Sequence, residues 1–132
     1  DPAAQLEEAL EYLGAHPHIG IGECSDILIN PAWGKQEQPD FYNLVVEVET
    51  ELAAEELLEV CQHIETAMGR VRAEKWGPRL IDIDLIAFER LEMKSGKLTL
   101  PHPHAHERDF VLKPLRQIAP EVAEWIVNTP SE

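Results

Sequence analysis

The chain has 132 residues, 44% of them apolar, enough for one compact domain and too few for two of ordinary size. Twenty-five acids against eleven bases give a net charge of −14, which argues against a nucleic acid or an anionic membrane as partner, since both need a basic surface. Apolar runs fall far short of the roughly 20 residues of a membrane span, and the two cysteines, Cys24 and Cys61, lack metal-type spacing and suit a reducing cytoplasm.

Asp1 and Pro2 read as a helix N-cap and first helical position. Leu6, Leu10 and Leu13 recur at helical spacing, so a helix is predicted to about His16, stopped by Gly14 and Pro17. Ile19 and Ile21 alternate, as do Ile27 and Ile29, which predicts a strand interrupted around Gly22 to Ser25. Pro31 to Asp40 reads as a loop, and strand character returns over Phe41 to Glu49, with Leu44, Val46 and Val48 on one face. A second helix is predicted over Ala54 to Met68, with Leu57, Cys61, Ile64 and Met68 as its apolar stripe and Gly69 as its end. Gly69 to Pro78 is polar and basic, a loop; Leu80 to Phe88 reads as a strand. Leu91 to Leu100 reads as a hairpin turning at Ser95-Gly96. Pro101 to Arg108 is a Pro/His loop, and Phe110 to Ile118 a short helix interrupted by Pro114. The tail beyond Pro120 is left unassigned.

This order predicts a single α+β domain. It is a ferredoxin-like split β-α-β sandwich with an added hairpin and a C-terminal helix, lacking its first strand. A helix starting at residue 1 leaves no room for that strand, so an upstream segment is expected to be missing from the sequence.

The chemistry concentrates in Lys75-Trp76-Gly77-Pro78-Arg79-Leu80-Ile81-Asp82-Ile83-Asp84-Leu85-Ile86. On a strand, Asp82 and Asp84 project from one side, and Ile81, Ile83 and Leu85 point the other way into a core. Two carboxylates on one face repel each other unless a cation sits between them, and hard oxygen ligands suit Mg²⁺. By spacing alone, solvated acids on an edge strand are the better reading. The flanking Gly-Pro-Arg and the basic cluster Arg70, Arg72, Lys75 and Arg79 tip the balance, since such a cluster in an acidic chain can hold a phosphorylated ligand.

The segment Trp76 to Ile86 resembles the signature of the 6-hydroxymethyl-7,8-dihydropterin pyrophosphokinases. So do Gln38-Pro39-Asp40-Phe41-Tyr42-Asn43, Gly69-Arg70-Val71-Arg72, and Pro101-His102-Pro103 through Arg108-Asp109-Phe110-Val111-Leu112. The resemblance implies transfer of the terminal diphosphate of ATP to the pterin hydroxymethyl group, leaving AMP; the protein is expected to be cytoplasmic and monomeric. It implies that Asp82 and Asp84 hold two Mg²⁺ ions, and that Arg70, Arg72, Arg79, His102 and Arg108 bind phosphates, Arg70 and Arg79 with catalytic roles. Gln62 and Glu65 would lie near the nucleotide. Phe41 and Phe110 would sandwich the pterin, Asn43 would read its polar edge, and Trp76 would belong to a loop that closes over the substrates. Metals and arginines supplying charge stabilisation fit what phosphoryl transfer demands.

Without the resemblance, Phe41 and Phe110 read as ordinary core aromatics, Asn43 as a strand-edge residue, and Arg70 and Arg72 as solvated charges. Trp33 stays open between the two readings. His102, His104 and His106 alternate beside prolines, but the family pattern needs His102 alone, so His104 and His106 are expected to face solvent rather than bind a transition metal. His16, His18 and His63 read as surface residues. The chain departs from the pattern at the absent first strand, the short stretch from Arg72 to Trp76, Asn30 in place of a frequent threonine, and an early end. A ferredoxin-like module that binds an anion or metal without turnover, and an intact but inactive fragment, are the rival readings.

Overall fold

The computed structural model describes residues 2–30, 41–69 and 81–129. The Asp1 cap, the loop with Trp33, and the basic loop with Arg70, Arg72, Trp76 and Arg79 lie outside the described residues. The described chain is α+β: helices flank small antiparallel ribbons.

Helix α1 spans Pro2–Ala15 and buries Ala9 and Leu13, the inner end of the predicted leucine stripe. Strand β1 follows at Ile19–Cys24, and β2 at Leu28–Asn30. The predicted interruption is a bulge: β1 pairs with β4 (Val46–Thr50) from Ile19↔Thr50 to Ile21↔Val48, then slips to Cys24↔Val46. One extra residue on β1 bends the ribbon at that point.

The strand expected as one piece over Phe41 to Glu49 is two. Strand β3 is Phe41–Asn43 and pairs with β2, while β4 pairs with β1. Leu44 and Val45 carry the chain from one ribbon to the other, and the Val45 amide leaves the ladder to donate to Ser25 Oγ at 2.9 Å. Val46 and Val48 are half-buried and Glu47 and Glu49 exposed, as alternation requires.

Helix α2 runs Ala54–Ala67 and buries Leu57, Cys61 and Ile64. At its start Glu56 Oε1 accepts the Ala53 amide at 2.8 Å, one half of a capping box. Gly69 ends it with φ 93°, a conformation that costs glycine no Cβ clash.

The strand expected over Leu80 to Phe88 is not formed within residues 81–87, which have no ladder partner among the described residues. Their backbone is bonded otherwise: the Ile83 amide to the Glu65 side chain at 2.6 Å, and the Ile86 carbonyl to the His102 amide at 2.8 Å. The alternation survives without the ladder. Ile81 is buried, Ile83 and Leu85 pack beside Leu13, Ile19, Leu57 and Ile64, and Asp82 and Asp84 are exposed.

The hairpin consists of β5 (Met93–Lys94) and β6 (Thr99–Leu100). Ser95 organises its turn, donating its amide to the Leu98 carbonyl at 2.9 Å and accepting the Leu98 amide on Oγ at 3.1 Å. A short 3₁₀ turn at Ala105–Glu107 leads into α3, Asp109–Ile118. Pro114 does not interrupt α3 but lies inside it, buried; the loss of one backbone donor is tolerated because the helix packs Val111, Leu112 and Leu115 into a core. The unassigned tail forms α4, Pro120–Asn128, with proline in its first turn. Ala123 and Ile126 of α4 close that core.

Candidate functional site

Glu65 is half-buried on α2, one turn beyond Cys61. Its carboxylate grips the amide of Ile83, the residue between Asp82 and Asp84. The helix therefore fixes the middle of the D-x-D segment, and both acids are left facing out. Gln62, three positions earlier on α2, is exposed.

His102 joins this segment from the other side through its amide bond to Ile86. The preceding Leu100-Pro101 peptide is cis. Burial lowers the His102 pKa; the Asp84 carboxylate pulls it back up, and Arg108 and His104 push it down. The charges of Asp84 and Arg108 therefore act on His102 in opposite directions. Asp84 and His102 also line a cavity of about 270 Å³ with Leu58, Lys97, Leu98 and Thr99. The hairpin residues Lys97 and Thr99 carried no motif, and their signal in the sequence was only that they lie on its return arm. A second cavity of about 320 Å³ is also lined by His102, with hairpin residues and Ile126.

Phe41 is 60% exposed and Phe110 37% exposed, so neither is the core aromatic that composition alone suggested. Register puts Asn43 opposite Leu28 and Phe41 opposite Asn30, so Phe41 and Asn43 share one face of the β2–β3 ribbon. Helix α3 packs against β2. At its start the Arg108 guanidinium lies over the Phe110 ring, 5.5 Å from the centroid. One turn of chain thus offers an aromatic face and a cation together.

Residues 1–120 match the family model described as 7,8-dihydro-6-hydroxymethylpterin-pyrophosphokinase. This chain belongs to that family. A 2-amino-4-hydroxy-6-hydroxymethyldihydropteridine pyrophosphokinase of Methylorubrum extorquens is 47% identical over 122 residues, covering 92% of this chain and 77% of that protein. A protein of the same name from Bacillus subtilis is 38% identical over 132 residues, 100% of this chain and 79% of its own length. One from Haemophilus influenzae is 36% identical over 121 residues, 92% and 76% of the two chains.

Within this chain, Asp84 and His102 thus share one cavity, Arg108 lies over Phe110 at the start of α3, and Phe41 and Asn43 belong to the ribbon. His104 is exposed as expected, bonding Glu107 at 3.3 Å. His106 differs: it is half-buried and lines the second cavity, because the 3₁₀ turn rotates it inward. His16 is half-buried too, its Nδ1 accepting the His18 amide. No group of three or more His, Cys, Asp or Glu among the described residues is placed to hold a metal. No described helix is long and apolar enough to cross a membrane.

Proposed function

We propose that this chain transfers the terminal diphosphate of ATP to the hydroxymethyl group of 6-hydroxymethyl-7,8-dihydropterin, releasing AMP, as a step of tetrahydrofolate synthesis. The observation that carries the reading is the tethered, outward-facing pair Asp82 and Asp84, with His102 on the cavity that Asp84 lines, in a chain that also exposes Phe41 and Phe110. The hydroxymethyl oxygen bonds to the β-phosphorus and gives up its proton to solvent, the bond from that phosphorus to the α–β bridging oxygen breaks, and AMP leaves with the electrons of that bond.

Asp82 and Asp84 hold Mg²⁺, in two ions. The donor set suits it, since Mg²⁺ usually takes one or two carboxylates and completes its shell with phosphate oxygens and water. Bound there, the metal supplies the positive charge that a triphosphate requires. ATP lies along the cavity of Asp84, Lys97, Thr99 and His102. The lowered His102 pKa favours the neutral ring, which offers a phosphate oxygen a hydrogen bond more than a full charge. Arg108 supplies charge from the α3 start, with Arg70, Arg72 and Arg79 from the basic loop; Arg70 and Arg79 stabilise the charge that shifts during transfer. Gln62 and Glu65 flank the nucleotide on α2. Phe41 and Phe110 stack the pterin, Asn43 reads its edge, and Trp76 closes over both substrates. We further read the architecture as a single ferredoxin-like domain, working as a cytoplasmic monomer.

The test is a coupled assay with ATP, Mg²⁺ and 6-hydroxymethyl-7,8-dihydropterin, following AMP. Pterin-dependent AMP that disappears on chelation is the expected result. AMP formed equally without pterin, or none at saturating substrates, refutes the reading.

A further inference from the structure

We infer that the Ser25-Asp26 corner is a positioning device that ties the two halves of the proposed pterin clamp, the chain after β3 and helix α3, to a single point. This rests on the proposed clamp of Phe41, Asn43 and Phe110. Ser25 follows the bulge of β1 and is 6% exposed, the buried polar residue among the described ones. Its amide donates to the Val45 carbonyl at 2.8 Å, and its Oγ accepts the Val45 amide at 2.9 Å. The same hydroxyl donates to the Asp26 carbonyl at 2.9 Å. Both backbone polar groups of residue 45 are thereby fixed, two positions after Asn43.

Asp26 faces the other element. Its amide donates to Gln117 Oε1 at 2.9 Å, and Gln117 Nε2 donates back to Asp26 Oδ2 at 2.9 Å. Two bonds between the same two residues fix orientation as well as distance, as other bidentate pairs do. The partners are 91 positions apart in the chain, so the contact is purely tertiary. Gln117 follows Phe110 by seven positions within α3. Seven positions are nearly two full turns, so the two residues share one face of the helix, roughly 10 Å apart along the axis. Helix α3 continues through Pro114 between the two residues, so a tether at Gln117 bears on the rotation at which Phe110 is presented. The Asp26–Gln117 pair is exposed, and water can replace its bonds, so its effect on folding is small. Its geometric effect is larger, because ångström misplacement of a substrate-positioning group can lower rates by about 100-fold.

The test uses the same coupled assay, with KM measured for each substrate. Gln117→Glu keeps the acceptor for the Asp26 amide, loses the donor, and sets a second carboxylate against Asp26. The pterin KM is expected to rise about five- to tenfold, the effect of losing about one such bond, while the ATP KM stays within about twofold. Adding Asp26→Asn restores a side-chain bond of reversed polarity and returns the pterin KM to within about twofold of the parent. A purely structural pair moves the melting temperature without separating the two KM values. The inference is overturned if both KM values rise together, if neither changes, or if the double variant gives no rescue. A parent chain that makes no pterin-dependent AMP removes the proposed reaction and this inference with it. An active parent with an unaltered Gln117→Glu variant removes this inference alone.

Discussion

Removing the Glu65 carboxylate tests the contact that tethers the D-x-D segment. Glu65 Oε2 accepts the Ile83 amide at 2.6 Å, in a stretch without a ladder partner among the described residues. A hydrogen bond to a charged group is worth about 1.5–3 kcal/mol net. Glu65 is half-buried, so water can partly take over, and Glu65→Ala should cost about 1–2 kcal/mol. With an unfolding entropy of about 2.1 cal/mol/K per residue, a chain of 132 residues loses roughly 4–7 °C of melting temperature for that cost. Glu65→Gln keeps an oxygen acceptor and gives up the charge, which should halve the loss. The same ordering should appear in the Mg²⁺ concentration that half-saturates AMP formation, since freeing Ile83 lets Asp82 and Asp84 wander. Calorimetry on the two variants, followed by Mg²⁺ titrations, checks both expectations. Equal losses for glutamine and alanine would refute the reasoning, because the acceptor would then be irrelevant.

Asp82→Ala or Asp84→Ala should leave pterin binding nearly intact, read by fluorescence titration, while AMP formation falls by about 100-fold or more; normal turnover in either would sink the metal reading. Cys61 is 2% exposed, and burial, with Glu65 and Asp84 adding to it, pushes its pKa up to about 11 from 9.0. The folded state therefore keeps this proton where the unfolded chain releases it. The resulting stability is fully present below pH 9 and is lost as pH rises to about 11, which urea melts across that window can follow. At pH 8 iodoacetamide should alkylate the exposed Cys24 and spare Cys61; equal labelling of the native protein would contradict the burial. Ile126→Ala, at a side chain 2% exposed, should cost about 2–4 kcal/mol in urea unfolding, and a loss under about 1 kcal/mol would show that α4 is not part of the core.

Periodicity by itself determined α1, α2 and the alternation of Ile81, Ile83 and Leu85 with Asp82 and Asp84, because burial of one face leaves a repeat in the sequence. Gly69 and the Ser95-Gly96 turn were legible for the same local reason: their backbone conformations select residue types. The ordered motifs fixed the family. Other features depended on partners far away in the chain. Residues 81–87 looked like a strand, yet a ladder requires a neighbour, and among the described residues none pairs with them. Pro114 looked like a breaker until the packing of Val111, Leu112 and Leu115 against α4 offset its missing donor. The break between β3 and β4 was set by Ser25, twenty positions from Val45. Phe41 and Phe110 read as core aromatics from the residues alone and as site residues only through the resemblance; tertiary placement left them exposed. The grip of Glu65 on Ile83 and the clasp of Asp26 on Gln117 had no local signature. A hydrogen bond across 18 or 91 positions leaves no spacing to read, because it is decided by where the elements pack.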